Sequence, residues 1–199
     1  IENYVRLLNP IAPERSVMRQ SLLASLLEVL EKNARIRERL AFFEIGTEFI
    51  QEQENSLPNE PRKLVIGMSG KRSNPTWDLQ SSGNLDFFDL KGVLDAMLQK
   101  IHLQDGSYQP SEHPSMHPGK CAQILVNDTS IGVFGELHPR VKQNYDFLTP
   151  AVYIAEIDLE VLLPMIPLRF ETSPVSVFPP VLEDIALIVE ESIPADKVE

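Results

Sequence analysis

The sequence has few of the features on which small secreted folds and membrane proteins depend. It contains one cysteine in 199 residues, which excludes an internal disulfide and favours a reducing compartment. No apolar run approaches the roughly 20 residues that a membrane helix requires, so we expect no contact with a membrane. No signal peptide is visible, and we therefore predict a cytoplasmic protein.

Basic residues are also scarce. Lys and Arg number 18 against 29 Asp and Glu, which gives a net charge of -11. Phosphate backbones repel such a surface, so we do not expect this chain alone to bind nucleic acid. The residues from Glu31 to Leu40 are an exception, with four basic and two acidic side chains. We interpret them as a solvated helix face, with contact to an acidic partner as the alternative.

Motifs for nucleotide binding and nucleophilic catalysis are missing as well. The sequence has no P-loop, no G-x-G-x-x-G and no G-x-S-x-G. His113, His117 and Cys121 are spaced four apart and on a helix would share one face, which suggests zinc. Pro114 and Pro118 interrupt such a helix, so we predict a loop that leads Cys121 into a strand. A metal-binding regulatory module stays open as an alternative.

A stretch of alternating residues lies within the first third of the chain. At positions 42–50, Phe43 and Ile45 fall on one face of the predicted strand, and Glu44 and Glu48 fall on the other. We interpret the two glutamates as the solvent face of a half-buried strand, with paired catalytic carboxylates as the alternative. The single tryptophan, Trp77, lies in a polar loop where it could either pack or anchor a partner.

Hydrophobic spacing predicts a mixed succession of helices and strands. Leu22, Leu26 and Leu30 recur every four residues, and Leu23 and Leu27 fill the adjacent row. Such a stripe is typical of a core and can also pack on a partner helix. We predict helices at about 16–33 and 87–101, the second capped by Asp86, and strands at 1–8, 42–50, 63–70, 122–127, 130–137 and 151–159. The strands at 122–127 and 130–137 would form a hairpin joined by Asp128 and Thr129, a domain boundary would lie near 168–174, and a new strand would follow at 184–189.

Six segments together resemble one family, the bacterial-type phenylalanyl-tRNA synthetase beta subunit. They occur in the family's order and span nearly the whole chain. The segments are LLNPIAPERSVMRQSLLASLLEVLEKN at 7–33, FFEIGTEF at 42–49, DFFDLKGVLDAML at 86–98, HPSMHPGKCAQI at 113–124, IGVFGELHPRV at 131–141 and FPPVLEDIALIV at 178–189.

The resemblance implies an α+β fold. Residues 1–170 would form a class II aminoacyl-tRNA synthetase-like antiparallel sheet flanked by helices, catalytically silent. Residues 171–199 would form a linker and the truncated start of a ferredoxin-like anticodon-binding domain.

The resemblance also implies a function. The family attaches phenylalanine to its tRNA with ATP, in an assembly of two alpha and two beta chains. The alpha subunit binds ATP, magnesium and phenylalanine, while this module supports it and contributes no catalytic, cofactor-binding or metal-binding residue. The resemblance places the contact with the alpha subunit on one helix, at Leu22, Leu23, Leu26, Leu27 and Leu30.

The charges at two segments agree with catalytic silence. Class II adenylation needs an arginine on the first long strand or its loop to hold the ATP phosphates. From Glu44 to Glu60 there are five acidic residues and no basic one. The segment at 153–163, which would match the last class II motif, contains no glycine and no arginine. A module that retains nucleotide or amino-acid binding is the alternative.

Overall fold

The computed structural model describes residues 4–52, 56–74, 76–77, 83–103, 106–170, 177–190, 193 and 198, without the side chain of Glu14. The chain divides into two units, Ile1–Leu168 and Arg169–Glu199. The first unit is an α+β domain with one six-stranded antiparallel sheet. Its strands are β1 (Arg39–Thr47), β2 (Arg62–Gly70), β3 (Gly106–Pro110), β4 (Met116–Val126), β5 (Thr129–Leu137) and β6 (Val152–Asp158).

The strands lie in the order β1-β2-β6-β5-β4-β3, so β1 and β3 are the two edges. The helices are α1 (Leu22–Ala34), α2 (Phe87–Lys100), α3 (Pro139–Lys142) and α4 (Leu159–Leu162), and short 3-10 turns cover Pro13–Arg15 and Leu163–Met165. Within the described ranges, none of the helices combines the length and hydrophobicity that a membrane-spanning segment needs.

Helix α1 covers one face of the sheet, which we call the α1 face. Its five leucines at 22, 23, 26, 27 and 30 are buried among Leu40, Val65 and Ile154. Gly67 makes this close packing possible, because a Cβ at that position would lie 2.5 Å from a methyl group of Leu30. The leucine stripe therefore forms the core that its spacing predicts.

The opposite face, which we call the α2 face, has its own core. Leu90, Leu94 and Leu98 of α2 are buried against sheet residues that include Phe134 and Ile157. The Asp86 carboxylate accepts hydrogen bonds from the backbone N–H groups of Phe88 and Asp89, which begins the helix one residue after the predicted cap. Helix α2 therefore begins at its predicted first residue, Phe87, and ends at Lys100, one residue before its predicted end.

The amino-terminal part differs from the sequence-based expectation. Helix α1 begins at Leu22 rather than near Ser16, because the preceding residues are extended: Met18 N–H donates to the Val5 carbonyl and Phe49 N–H to the Arg19 carbonyl. Ser21 then caps the helix. The strand predicted at 1–8 is wrong for the described residues from 4 onward, where only an isolated bridge joins Arg6 and Val17.

The remaining strands meet different outcomes. The hairpin of β4 and β5 is confirmed, although its turn residues are Asn127 and Asp128, both with positive φ, rather than Asp128 and Thr129. Strand β3 was not predicted, because its sequence GSYQP has almost no apolar character. The strand predicted at 184–189 is wrong: the described residues 177–190 contain no strand, because no neighbouring strand pairs with them.

Candidate functional site

Three adjacent strands bring the acidic segments of the sequence together. In the register of β1, β2 and β6, Glu44 lies opposite Val65, and Val65 lies opposite Glu156. Lys63 lies opposite Asp158 in the same strand pair. The α1 face therefore carries a charged cluster at the amino-terminal end of α1, where acidic side chains from the two segments that lack arginine meet Arg19 and Lys63. We call it the front cluster: Arg19, Glu44, Glu48, Lys63, Glu156 and Asp158.

Arg19 binds the first strand from outside the sheet. Its guanidinium forms an ion pair with Glu44, at 2.6 Å between Nη1 and Oε1, and its Nε donates to the Thr47 carbonyl at 3.0 Å. Gly46 provides the space for it, since a Cβ there would overlap the guanidinium. Arg19 is therefore held by one carboxylate and one carbonyl of its own chain.

Glu48 is a buried carboxylate, with only 5% of its surface exposed. Its Oε1 accepts a hydrogen bond from the backbone N–H of Leu22 at 3.1 Å, which places a negative charge at the start of α1. Burial raises the pKa of Glu48, and the Leu22 N–H opposes that rise. This glutamate therefore joins β1 to the helix that covers it.

Lys63 and Asp158 form the second ion pair of the front cluster, at 2.7 Å between Nζ and Oδ2. Burial alone would raise the pKa of Asp158, but the hydrogen bond from Lys63 and its charge bring that pKa below its ordinary value. Glu156 forms no such hydrogen bond with a residue that the structure describes, and burial raises its pKa. The front cluster thus shares one lysine between two acids on the same strand.

The chemistry open to this arrangement is limited by its charge balance. Both cations of the front cluster are already paired with carboxylates, and a third pair, Arg62 with Glu160, lies beside it. A triphosphate would therefore meet surplus carboxylates rather than a free guanidinium. Within the front cluster, neither Arg19 nor Lys63 is left without a carboxylate partner.

The zinc candidate is not assembled. His113 Nδ1 accepts from the Ser115 N–H at 3.3 Å, and His117 Nδ1 accepts from the Gly119 N–H at 3.0 Å. Cys121 is buried in strand β4, and burial raises the pKa of its thiol, which disfavours the nucleophilic thiolate. In the part of the chain that the structure describes, no three His, Cys, Asp or Glu side chains are placed to hold a metal ion.

A family model places this domain among known proteins. The model described as "Phenylalanyl tRNA synthetase beta chain CLM domain" matches residues 1–159. The chain belongs to this family. Members of the phenylalanyl-tRNA synthetase beta chain family among the curated relatives include "Phenylalanine--tRNA ligase beta subunit" of Clostridium acetobutylicum, 37% identical over the whole chain, and that of Carboxydothermus hydrogenoformans, 38% identical over 96% of it. The chain spans about a quarter of the length of each, 24%.

Solved structures show the same fold at lower sequence similarity. The pyrrolysyl-tRNA synthetase PylSc of Desulfitobacterium hafniense aligns with a TM-score of 0.60 and 15% identity, over 81% of this chain and 52% of that one. A second structure of pyrrolysyl-tRNA synthetase from the same organism aligns with a TM-score of 0.58. The antiparallel sheet of this beta chain family member is therefore of the class II synthetase type.

The predicted contact residues of this beta chain lie inside the domain. Each of the five leucines at 22, 23, 26, 27 and 30 is at most 5% exposed, with its side chain against the sheet. Their contact with an alpha subunit is tested by no observation and stays a prediction. The surface that α1 presents outward consists of other residues, such as Val29, which is 42% exposed.

The two faces of β1 are the reverse of the expected ones. Phe43 and Ile45 are 70% and 59% exposed, whereas Glu44 pairs with Arg19 and Glu48 accepts a hydrogen bond from the first residue of α1. The interpretation of the two glutamates as a solvent face is therefore wrong, because Arg19 and the start of α1 supply the partners that allow them to be covered. Trp77 is 95% exposed, so it does not pack in the core.

Sequence reasoning missed Arg19 and Lys63 as the partners of these acids. Arg19 lies 25 positions from Glu44 and Lys63 lies 95 positions from Asp158, so neither pair has a local signal. Phe43 and Ile45 were also missed as a surface. Their alternation was visible, but the side of the sheet that another element covers was not.

Proposed function

We propose that this chain is a structural module of the beta subunit of phenylalanine–tRNA ligase, catalytically silent, which supports the alpha subunit that performs the chemistry. The observation that carries the proposal is the front cluster. It lies on a class II frame, yet its two cations, Arg19 and Lys63, are each neutralised by a carboxylate of the same chain. A module of this kind can keep its shape without holding a nucleotide.

The wider function follows from the family. The whole enzyme would use ATP and magnesium, bound by the alpha subunit, to attach phenylalanine to its tRNA. It would assemble from two alpha and two beta chains in the cytoplasm. Residues 171–199 would begin the anticodon-binding domain, which extends the role of the beta chain to tRNA. The outward side of α1 would be available to the alpha subunit, with the five leucines holding that helix on the sheet.

Two measurements on the full beta chain test the proposal. First, it should co-purify with the alpha subunit, and only the complex should aminoacylate tRNA. Second, calorimetric titration of the beta chain alone with ATP or phenylalanine at millimolar concentration should give no saturable heat. Saturable binding of either ligand to the beta chain, abolished by Glu156→Gln or Lys63→Met in the front cluster, would favour the alternative of a retained ligand site.

A further inference from the structure

An apolar groove lies on the α2 face, beside the edge strand β1. It has a volume of about 370 Å³, and its walls are formed by Phe43 and Ile45 of β1, Leu64 and Ile66 of β2, and Val93 and Met97 of α2. The register brings Phe43 opposite Ile66 and Ile45 opposite Leu64, so the four sheet residues form one continuous surface. We call this surface the β1 groove.

Helix α2 does not cover this part of the sheet. Its buried side chains are Leu90, Leu94 and Leu98, which pack toward the centre of the sheet, whereas Val93 is 40% exposed at the side of the groove. Two neighbouring apolar side chains of an edge strand therefore face outward. Apolar patches of this kind usually mark a contact with another element.

One end of the β1 groove is basic. Arg39, the first residue of β1, lines both the groove and a neighbouring hollow of about 470 Å³, where Arg37, Glu38 and Asn74 are its other walls. Arg39 Nε donates to the Arg72 carbonyl at 3.1 Å, and neither Arg37 nor Arg39 forms an ion pair with a described carboxylate. An acidic side chain on the occupant of the groove would form ion pairs with both arginines at this end.

We propose that the β1 groove docks an amphipathic helix of the alpha subunit, with its apolar side on Phe43 and Ile45 and an acidic side chain at Arg37 and Arg39. This rests on the proposed function. A helix fits because the exposed side chains project from the sheet face, where α2 already forms a helical layer alongside. A second copy of this chain fits less well, because its net charge of -11 opposes self-association.

The test uses the full beta chain with the alpha subunit. Phe43→Asp should weaken the alpha–beta Kd by about 30-fold or more, as expected for a central interface residue. Phe88→Asp is the matched control, because Phe88 is 73% exposed on α2 outside the groove, and it should leave Kd unchanged. The melting temperature of each variant beta chain alone should equal that of the wild type.

The outcomes separate the occupants. If the wild-type beta chain does not bind alpha, the proposed function itself fails. If wild type and Phe43→Asp bind alpha equally, only the groove proposal is overturned. If Phe43→Asp lowers the melting temperature of the beta chain alone, a segment of the beta chain fills the groove. If it abolishes only self-association, a second copy does. Either of these two results also overturns the proposal.

A further pair of measurements does not depend on tolerance of an aspartate. A photo-crosslinking amino acid in place of Ile45 in the assembled enzyme should capture a helical alpha-subunit peptide that contains Asp or Glu, and a beta-chain peptide would contradict the proposal. Arg39→Gln should reduce the salt dependence of the alpha–beta Kd, because an ion pair is lost. An unchanged salt dependence would refute the acidic end of the occupant.

Discussion

The two faces of strands β1 and β2 differ in how far the domain itself covers them. On the α1 face, the domain covers its own strands: five leucines close over Gly67, and each charge of Glu44 and Asp158 meets a cation of the same chain. On the α2 face, Phe43 and Ile45 of the same β1 strand stay exposed. The side with the more polar sequence is the one that the chain satisfies alone, and the apolar side is the one left for a neighbour.

The strongest test of this contrast is the removal of a leucine from α1. Leu30 is fully buried, so Leu30→Ala should lower the free energy of unfolding by about 2–5 kcal/mol. Val29, its exposed neighbour on the same helix, is the control, and Val29→Ala should change that free energy by less than about 1 kcal/mol. Urea denaturation of the 199-residue chain measures both. Equal losses would mean that α1 does not pack as described.

Substitution of Gly67 tests the close packing of α1 on the sheet. An alanine Cβ would lie 2.5 Å from Leu30 Cδ1 and 3.0 Å from Leu26 Cδ2, so Gly67→Ala should cost about 1–3 kcal/mol of unfolding free energy. Gly92 of α2 is the matched control: nothing lies near its added Cβ, and Gly92→Ala should stabilise by up to about 1 kcal/mol through helix propensity. Thermal melts of the two variants should shift in opposite directions.

The pH dependence of stability tests the electrostatics of the α1 face. Burial raises the pKa of Glu156 above its ordinary 4.5, so the folded chain binds this proton more tightly than the unfolded chain does. Stability contributed by this group is therefore present at low pH and declines as pH rises through the ordinary value to the folded one. Glu156→Gln should be more stable than wild type at neutral pH, with the difference vanishing below pH 4. A difference that grows on acidification would show the opposite sign.

The smallest effect is expected on the α2 face. Phe43 is mostly exposed, so Phe43→Ala should change the unfolding free energy of the 199-residue chain by only about 0.5 kcal/mol. Ile66 lies directly opposite Phe43 on β2 and is buried, so Ile66→Ala should lower the unfolding free energy by about 2–5 kcal/mol. If Phe43→Ala costs as much as Ile66→Ala, the β1 groove is closed by the chain itself.

Local patterns predicted the parts of the fold that depend on local physics. The leucine stripe, the Asp86 cap and the β4–β5 hairpin all follow from spacing or turn chemistry within a few residues, and the structure confirms each. The start of α1 was wrong because residues 16–20 form backbone hydrogen bonds with 5–7 and 49 instead. Local propensity carries no information about such distant partners.

The front cluster could be predicted only in part. The absence of arginine from the two acidic segments was visible in the sequence, but their meeting on β1, β2 and β6 depends on strand order. The covered side of β1 was inverted for the same reason. The alternating pattern of a strand shows that its two faces differ but not which face is covered, and in β1 the position of α1 decides this.

Because Arg19 crosses over Gly46, the residue types at these two distant positions should depend on each other in evolution. Any side chain gained at position 46 displaces the guanidinium, and with it the ion pair to Glu44. A substitution at either position should therefore change which residues the other position tolerates. Among relatives, a larger residue in place of Gly46 should accompany a shorter one in place of Arg19, and chimaeras that exchange both together should be more stable than those that exchange one alone.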